Sequence, residues 1–302
     1  MRVLVTGAGG VLGGAIARHL AAAGHEVVGH GRRPTGLADE LVADLATPGF
    51  AALAAARLAP CEAVVHAAAS LDLSPHAPGA SLTNGLGTQQ VLETAARWRS
   101  HAFVYLSSIG VIGVPREHPV REEHPAAPLT DYHASKLYGE HLVAVASRKG
   151  LRGVSLRVTS PVGPGMRRDG IFATFVGRAL RSEPLFVAGR GTRRQNYVDV
   201  RDVARQVEAC LASGASGIFN AAGAEAVSNL DLARECQERL GSTAGIALGG
   251  DDEQDHLSWD VSMEKAERCL AFRPRYARGA SIDALARELR EESPSTVEHA
   301  PR

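Results

Sequence analysis

Tyr132-His133-Ala134-Ser135-Lys136 sets a phenol and an ammonium four residues apart, one helical turn along the same face. A free phenol titrates near about 10, and a neighbouring cation lowers such a value by roughly 1 to 3 units, which makes Tyr132 a proton donor usable near neutrality. Spacing alone also fits a bland surface pair, so position has to decide. Upstream, Phe103-Val104-Tyr105-Leu106 reads as a strand, and Ser107-Ser108 stands at its C-terminal end, where open α/β sheets bind ligands. Ser108 can there hydrogen-bond a reacting carbonyl oxygen, with Ser107 and Ile109 beside it in the substrate wall. Two serines at a strand end can also be plain turn chemistry.

A second constellation opens the chain. Thr6-Gly7-Ala8-Gly9-Gly10-Val11-Leu12-Gly13 follows a short β-branched run and precedes an amphipathic helix. In that context the backbone N–H groups of Gly7, Gly9, Gly10, Val11, Leu12 and Gly13, together with the helix dipole, can receive a pyrophosphate. The next strand runs to about His30, and its tip is read against the adenosine ribose. A carboxylate there would bond the 2′-hydroxyl of NAD, but the tip is Gly31-Arg32-Arg33. Two guanidiniums suit a 2′-phosphate, so NADP(H) is expected in preference to NAD(H), unless Arg32 and Arg33 are a solvated loop edge. Asp44-Leu45 and Ala67-Ala68-Ala69 extend the expected cofactor contacts, the alanines by letting backbone lie close.

These residues need a frame that brings strand ends together. Short runs (Val3-Leu4-Val5, Glu26-Val27-Val28, Ala63-Val64-Val65, Val154-Ser155-Leu156) alternate with helical patterns at Val11 to Ala23, Phe50 to Ala59, Leu86 to Trp98 and Tyr132 to Arg148. Such alternation implies an α/β, Rossmann-type, doubly wound parallel sheet. Beyond Arg157, Pro161, Gly163, Pro164 and Gly165 break regular structure, and helices are expected near Ile171 to Leu180, Val200 to Leu211 and Leu230 to Leu240. The expected division is a dinucleotide-binding domain at 1–160, with elements near 191–222 returning to it, and a smaller substrate-binding lobe from 161–190 and 223–288. A flexible tail is expected at 289–302, where Pro, Ser and Glu leave little to bury.

Composition narrows the classes. With 45% hydrophobic and 22% charged residues the chain can bury a full core. Basic and acidic residues balance at 33 each, so no general attraction for nucleic acid or an anionic membrane is expected. Cys61, Cys210, Cys236 and Cys269 lie far apart without a C-x-x-C pair, which suits a reducing cytoplasm better than zinc or disulfides. Histidines 118, 124, 133 and 256 show no ligand spacing, and no metal is expected. No secretion signal is read at the N-terminus, and no apolar run reaches the roughly 18 residues of a membrane span.

With these motifs in order, the chain resembles the extended short-chain dehydrogenase/reductase superfamily, in its NAD-dependent epimerase/dehydratase branch. Asn84-Gly85-Leu86-Gly87-Thr88 matches that branch's Asn-x-x-Gly-Thr, and Asn196 to Val203 its late strand-to-helix segment. The resemblance implies that Tyr132 moves the proton, Lys136 lowers its pKa and holds the nicotinamide ribose, and Ser108 orients the substrate. It also places Ser160, Pro161 and Val162 near the nicotinamide, and Asn84 near the cofactor. Relatives commonly dimerise through two helices per subunit, which here implies a homodimer through about Leu86 to Trp98 and Tyr132 to Arg148.

Departures from the pattern bear on the small-molecule substrate. Relatives that bind nucleotide sugars carry an arginine where this chain has Gln195, with Arg193 and Arg194 adjacent, and a second arginine where it has the acidic run 251–255. That run would repel a diphosphate. It is either a solvated loop or a face for a cationic substrate. Ile109 and Gly110 replace the Asp-Glu pair of the dehydratases, and Ile112 replaces a tyrosine. The expectation is a ketoreductase or dehydrogenase acting on a ketone or keto-sugar. The alternatives are an epimerase with retained NAD and a non-catalytic NADP sensor.

Overall fold

The computed structural model describes residues 1–72, 76 and 78–292. Seven strands form one parallel sheet: β1 (Arg2–Thr6), β2 (Glu26–Gly31), β3 (Asp39–Val42), β4 (Ala63–His66), β5 (Ala102–Ser108), β6 (Arg152–Val158) and, at the far edge, β10 (Gly217–Ala221). Their spatial order is β10-β6-β5-β4-β1-β2-β3. The chain reverses direction across the sheet between β1 and β4, and that switch point opens a crevice at the strand C-termini. This is the α/β Rossmann-type, doubly wound sheet expected from the alternation of runs.

Period-two alternation buries the sheet on both sides. Val3 and Val5 face one core, with Ile16 and Leu20 of α1 (Val11–Ala22) and Val203 and Val207 of α6 (Val200–Ala212). Leu4 faces the other, with Phe50 and Ala54 of α2 (Phe50–Arg57), Val91 and Ala95 of α3 (Gly87–Trp98) and Val143 of α4 (Asp131–Ser147). The alanine-rich stretch after Phe50 is thus helical with one face buried. Among the described residues no helix is long and apolar enough to cross a membrane.

A second body of structure packs around its own core. Strand β9 (Arg194–Asp199) pairs with β7 (Ser160–Val162) and antiparallel with β11 (Ala226–Ser228), while β8 (Leu185–Ala188) pairs with β12 (Ile246–Gly249). Phe172 and Val176 of α5 (Ile171–Leu180), Leu232 and Cys236 of α7 (Asn229–Leu240), and Ile282 and Leu285 of α9 (Arg278–Glu292) fill it. The short α8 (Glu264–Leu270) returns to the first core.

Three details differ from the sequence reading. Segment 191–222 divides between the bodies, since β10 joins the large sheet and β9 pairs only in the small one. Residues 160–162 form β7 despite Pro161, because a short strand can place a proline where no ladder donor is needed. The tail begins later than 289, because Leu289 continues the apolar face of α9 into the lobe core. Residues 293–302 lie outside the described residues.

Candidate active site

The glycine loop is shaped by close approach. Gly7 sits at φ +70°, and a Cβ on it would come within 2.8 Å of the Ala68 backbone. A Cβ on Gly13 would overlap the Gly7 carbonyl, which lets α1 begin directly behind the loop. Gly10 caps α1 without a side-chain hydrogen bond, and its first turn holds no acidic residue. The N-terminal N–H groups therefore point at the crevice unneutralised, beside an exposed Gly9 with open space around it. Ala67, Ala68 and Ala69 are half-buried alongside. A dinucleotide's pyrophosphate fits this cradle, whose close backbone approach a Cβ at 7 or 13 would break.

At the adenosine end the chain folds back over β2. A Cβ on Gly31 would lie 2.9 Å from the Arg33 carbonyl, and one on Gly29 2.6 Å from Thr35 Oγ1. Both nearby carboxylates are occupied: Glu40 accepts from Thr35 N and Oγ1, each at 2.6 Å, and Asp39 pairs with Arg2. Arg32 and Arg33 are exposed. Asp44 caps its own turn by accepting from Ala46 N at 2.9 Å, and Leu45 is buried against Gly87.

A buried chain of hydrogen bonds links this cradle to the catalytic helix, a connection that sequence reasoning missed. Ala68 N donates to Thr6 Oγ1 (3.2 Å), Thr6 Oγ1 meets His66 Nδ1 (2.7 Å), His66 Nε2 meets Thr88 Oγ1 (3.0 Å), and Thr88 donates to Asn84 O (2.6 Å). The consistent proton order is a neutral His66 carrying its hydrogen on Nε2, and burial indeed holds its pKa well below the usual imidazole range. Asn84 sits in a π-helical turn, Ala80–Leu86, that leads into α3 and extends the helix beyond its expected start. Its amide donates to Ser135 Oγ (3.0 Å) and Ser70 O (3.1 Å), and Ser135 donates to Tyr132 O (2.7 Å). Such π-turns re-aim side chains at functional sites.

Thr130 caps α4, accepting from His133 N at 3.2 Å, and so fixes the register that puts Tyr132 and Lys136 one turn apart. Lys136 is buried, with Nζ donating to Leu106 O at 2.7 Å and lying 5.9 Å from the Tyr132 ring centroid. Burial pulls its ammonium down to about 7, against a smaller upward pull from Glu140. Burial also pushes the Tyr132 phenol up to about 12. The expected lowering of the phenol is therefore not seen: the cation lies over the ring, and loss of water outweighs it.

Ser108 ends β5 and accepts from Gly110 N at 3.3 Å, capping the turn Ile109–Ile112. A Cβ on Gly110 would overlap the His133 ring, and that ring meets Tyr132 edge-on at 5.1 Å. His133 thus makes the Ser108 turn and Tyr132 share one wall. Ser107 is corrected from the substrate wall: it donates to Glu140 Oε1 at 2.6 Å, because neighbours on a strand face opposite ways. Ile109 likewise is buried in an apolar cluster with Val111, Val120 and Val261.

Beneath α4, Arg157 forms a bidentate pair with Glu140 at 3.0 and 2.8 Å, both side chains no more than 4% exposed. In the lobe, Ser160 pairs across from Tyr197, Pro161 is exposed and Val162 is buried in the second core. Gln195 Nε2 turns to Asn229 Oδ1 at 3.4 Å, and the exposed Arg194 donates through Nη2 to Ala226 O at 2.6 Å. Among the described residues Arg193 Nε is buried without a hydrogen-bond partner. Asp255, from the acidic run, accepts the backbone N–H groups of Arg190 and Thr192 at 2.6 and 3.1 Å, so it serves a turn.

A family model described as the NAD dependent epimerase/dehydratase family matches residues 3–222. The chain belongs to that family. It is 29% identical over 222 residues to the dTDP-glucose 4,6-dehydratase of Streptomyces niveus, a match covering 72% of this chain and 66% of the relative, so it spans slightly under two thirds of that protein. The Thermus thermophilus UDP-glucose 4-epimerase, solved with NAD, shares 27% identity at TM-score 0.84, over 97% of this chain and all of that one. The Thermotoga maritima UDP-glucose 4-epimerase, at 21% identity and TM-score 0.87 over 96% and 99%, shows the same fold.

Proposed function

We propose that this family member is an NADP(H)-dependent oxidoreductase that reduces a ketone or keto-sugar, with Tyr132 delivering the proton to oxygen. The observation that carries the reading is the hydrogen-bonded path from the glycine loop to Tyr132, with a buried Lys136 beneath the phenol. The cofactor, when bound, supplies the hydride. Gly7 to Gly13 would hold its pyrophosphate, Lys136 would align its ribose side, Asn84 would support that side through Ser135, and Ser108 would orient the carbonyl. Tyr132 gives its proton as the alkoxide develops, with Lys136 offsetting the phenolate charge.

The choice of NADP(H) rests on the β2 tip, where the backbone folds over Gly31, both nearby carboxylates are occupied, and Arg32 and Arg33 are exposed. Gln195 in place of an arginine favours a substrate without a nucleoside diphosphate, while Arg193 and Arg194 beside it are the cations that would pair one. Epimerisation with retained NAD is the second reading, favoured by the NAD-bound epimerase neighbour. Exposed Leu82, Tyr138 and Val145 on the π-turn and α4 support a homodimer through these helices, which sedimentation tests. Four free cysteines, of which Cys61, Cys210 and Cys236 are buried, suit a reducing cytoplasm.

The test is an NADPH-oxidation screen over ketones and keto-sugars, with and without a nucleoside diphosphate. Tyr132→Phe should slow the turnover of any substrate found by at least about a hundredfold and leave NADPH binding nearly intact. Near-normal turnover in that variant overturns the assignment. Cofactor that survives purification without NADPH consumption selects the epimerase.

A further inference from the structure

We propose that Tyr105 is a positioning residue whose ring face holds the Lys136 ammonium in place and in its charged form. The inference rests on reading Lys136 as a working part of the site. Lys136 presents three donors, and its one hydrogen bond among the described residues is to Leu106 O, so burial leaves the cation short of solvation. Nζ lies 4.9 Å from the centroid of Tyr105, nearer than the 5.9 Å to Tyr132 and within the range where a ring's negative face attracts a cation.

Tyr105 is fixed for that task. It is 1% exposed on β5, and the His66 ring stacks on it at 5.7 Å with an interplanar angle of 29°. Gly139 of α4 makes room for its hydroxyl, since a Cβ there would overlap Tyr105 Oη. Among the described residues that hydroxyl, buried near Thr88, has no hydrogen-bond partner. The ring, and not the phenol, is therefore what the site uses. The other titratable groups around the ammonium do not replace it. Glu140 on the same helix adds an upward pull on Lys136 but spends its oxygens on Arg157 of β6 and makes no contact with Nζ, Tyr132 is a neutral phenol, and burial keeps His66 of β4 neutral.

The chain has three lysines, Lys136, Lys149 and Lys265, so Nζ-15N-labelled protein gives three side-chain signals, assigned with K149R and K265R. The measurement is the pH at which the Lys136 signal titrates, which needs neither substrate nor turnover. Tyr105→Phe should titrate with wild type, and Tyr105→Leu about one pH unit lower. A trifluorinated phenylalanine at 105, which keeps the ring's shape and weakens its negative face, should fall between the two even if the leucine variant does not fold. Coincident titration of wild type and the fluorinated variant overturns the proposal. A Tyr132→Phe enzyme that kept its turnover would overturn the reaction assigned above and leave this titration untouched, so the two failures are distinct.

Discussion

Two buried cations sit beneath α4, and they are held in opposite ways. Arg157 meets Glu140 through two charge-assisted bonds and adds a third, from Nη1 to Glu122 O at 3.1 Å. Lys136, one turn earlier on the helix than Glu140, has one carbonyl and two ring faces. Every nitrogen of Arg157 donates to a protein oxygen, and removing its partner strands a charge in low dielectric. Lys136 is under-satisfied, so its protonation responds to whatever enters the crevice. The difference teaches where this helix is anchored and where it is left free for chemistry.

The largest expected effect breaks the anchored side. Glu140→Gln keeps the shape but not the charge, and should lower the unfolding free energy by about 3–5 kcal/mol in urea titrations. A smaller loss would mean that Glu122 O and the remaining amide oxygen suffice to hold the guanidinium.

The next sharpens the free side through pH. The folded value of Lys136, near 7, lies below its ordinary 10.5, so between these values the unfolded chain binds more protons than the native one. This residue's contribution to stability therefore rises as pH rises through that window and is lost as pH falls back toward 7. Lys136→Met should be more stable than wild type by on the order of a few kcal/mol near pH 7, an advantage that shrinks toward pH 10. An advantage independent of pH would place the cause elsewhere.

The smallest effect concerns the cofactor's far end. Arg32→Ala should raise the KM for NADPH roughly tenfold and leave that for NADH unchanged, as expected for the loss of a charge-assisted contact to a 2′-phosphate. An unchanged preference would return Arg32 to the solvated edge.

How far the sequence reads into this comparison depends on range. The Tyr132–Lys136 spacing and the glycine loop are local patterns on single elements, and strand-helix alternation carries the parallel sheet. The Arg157–Glu140 pair joins β6 to α4 and has no local signature, although Glu140 one turn beyond Lys136 offered a hint. Ser107 looked equivalent to Ser108 until strand alternation separated them. Motif reasoning assigned Tyr132 a lowered pKa because it counts charges and not lost water. Strand propensity gave β9 its conformation but not its partners, and the composition of the expected tail masked Leu289 as the continuation of the helical spacing of Ile282, Leu285 and Ala286.

The claim that Lys136 is kept for chemistry at the expense of stability is met most directly by urea unfolding of Lys136→Met at pH 7. The account predicts a midpoint above wild type, in a protein that no longer turns over NADPH. A drop comparable to that of Glu140→Gln would contradict it and make Lys136 a second anchor.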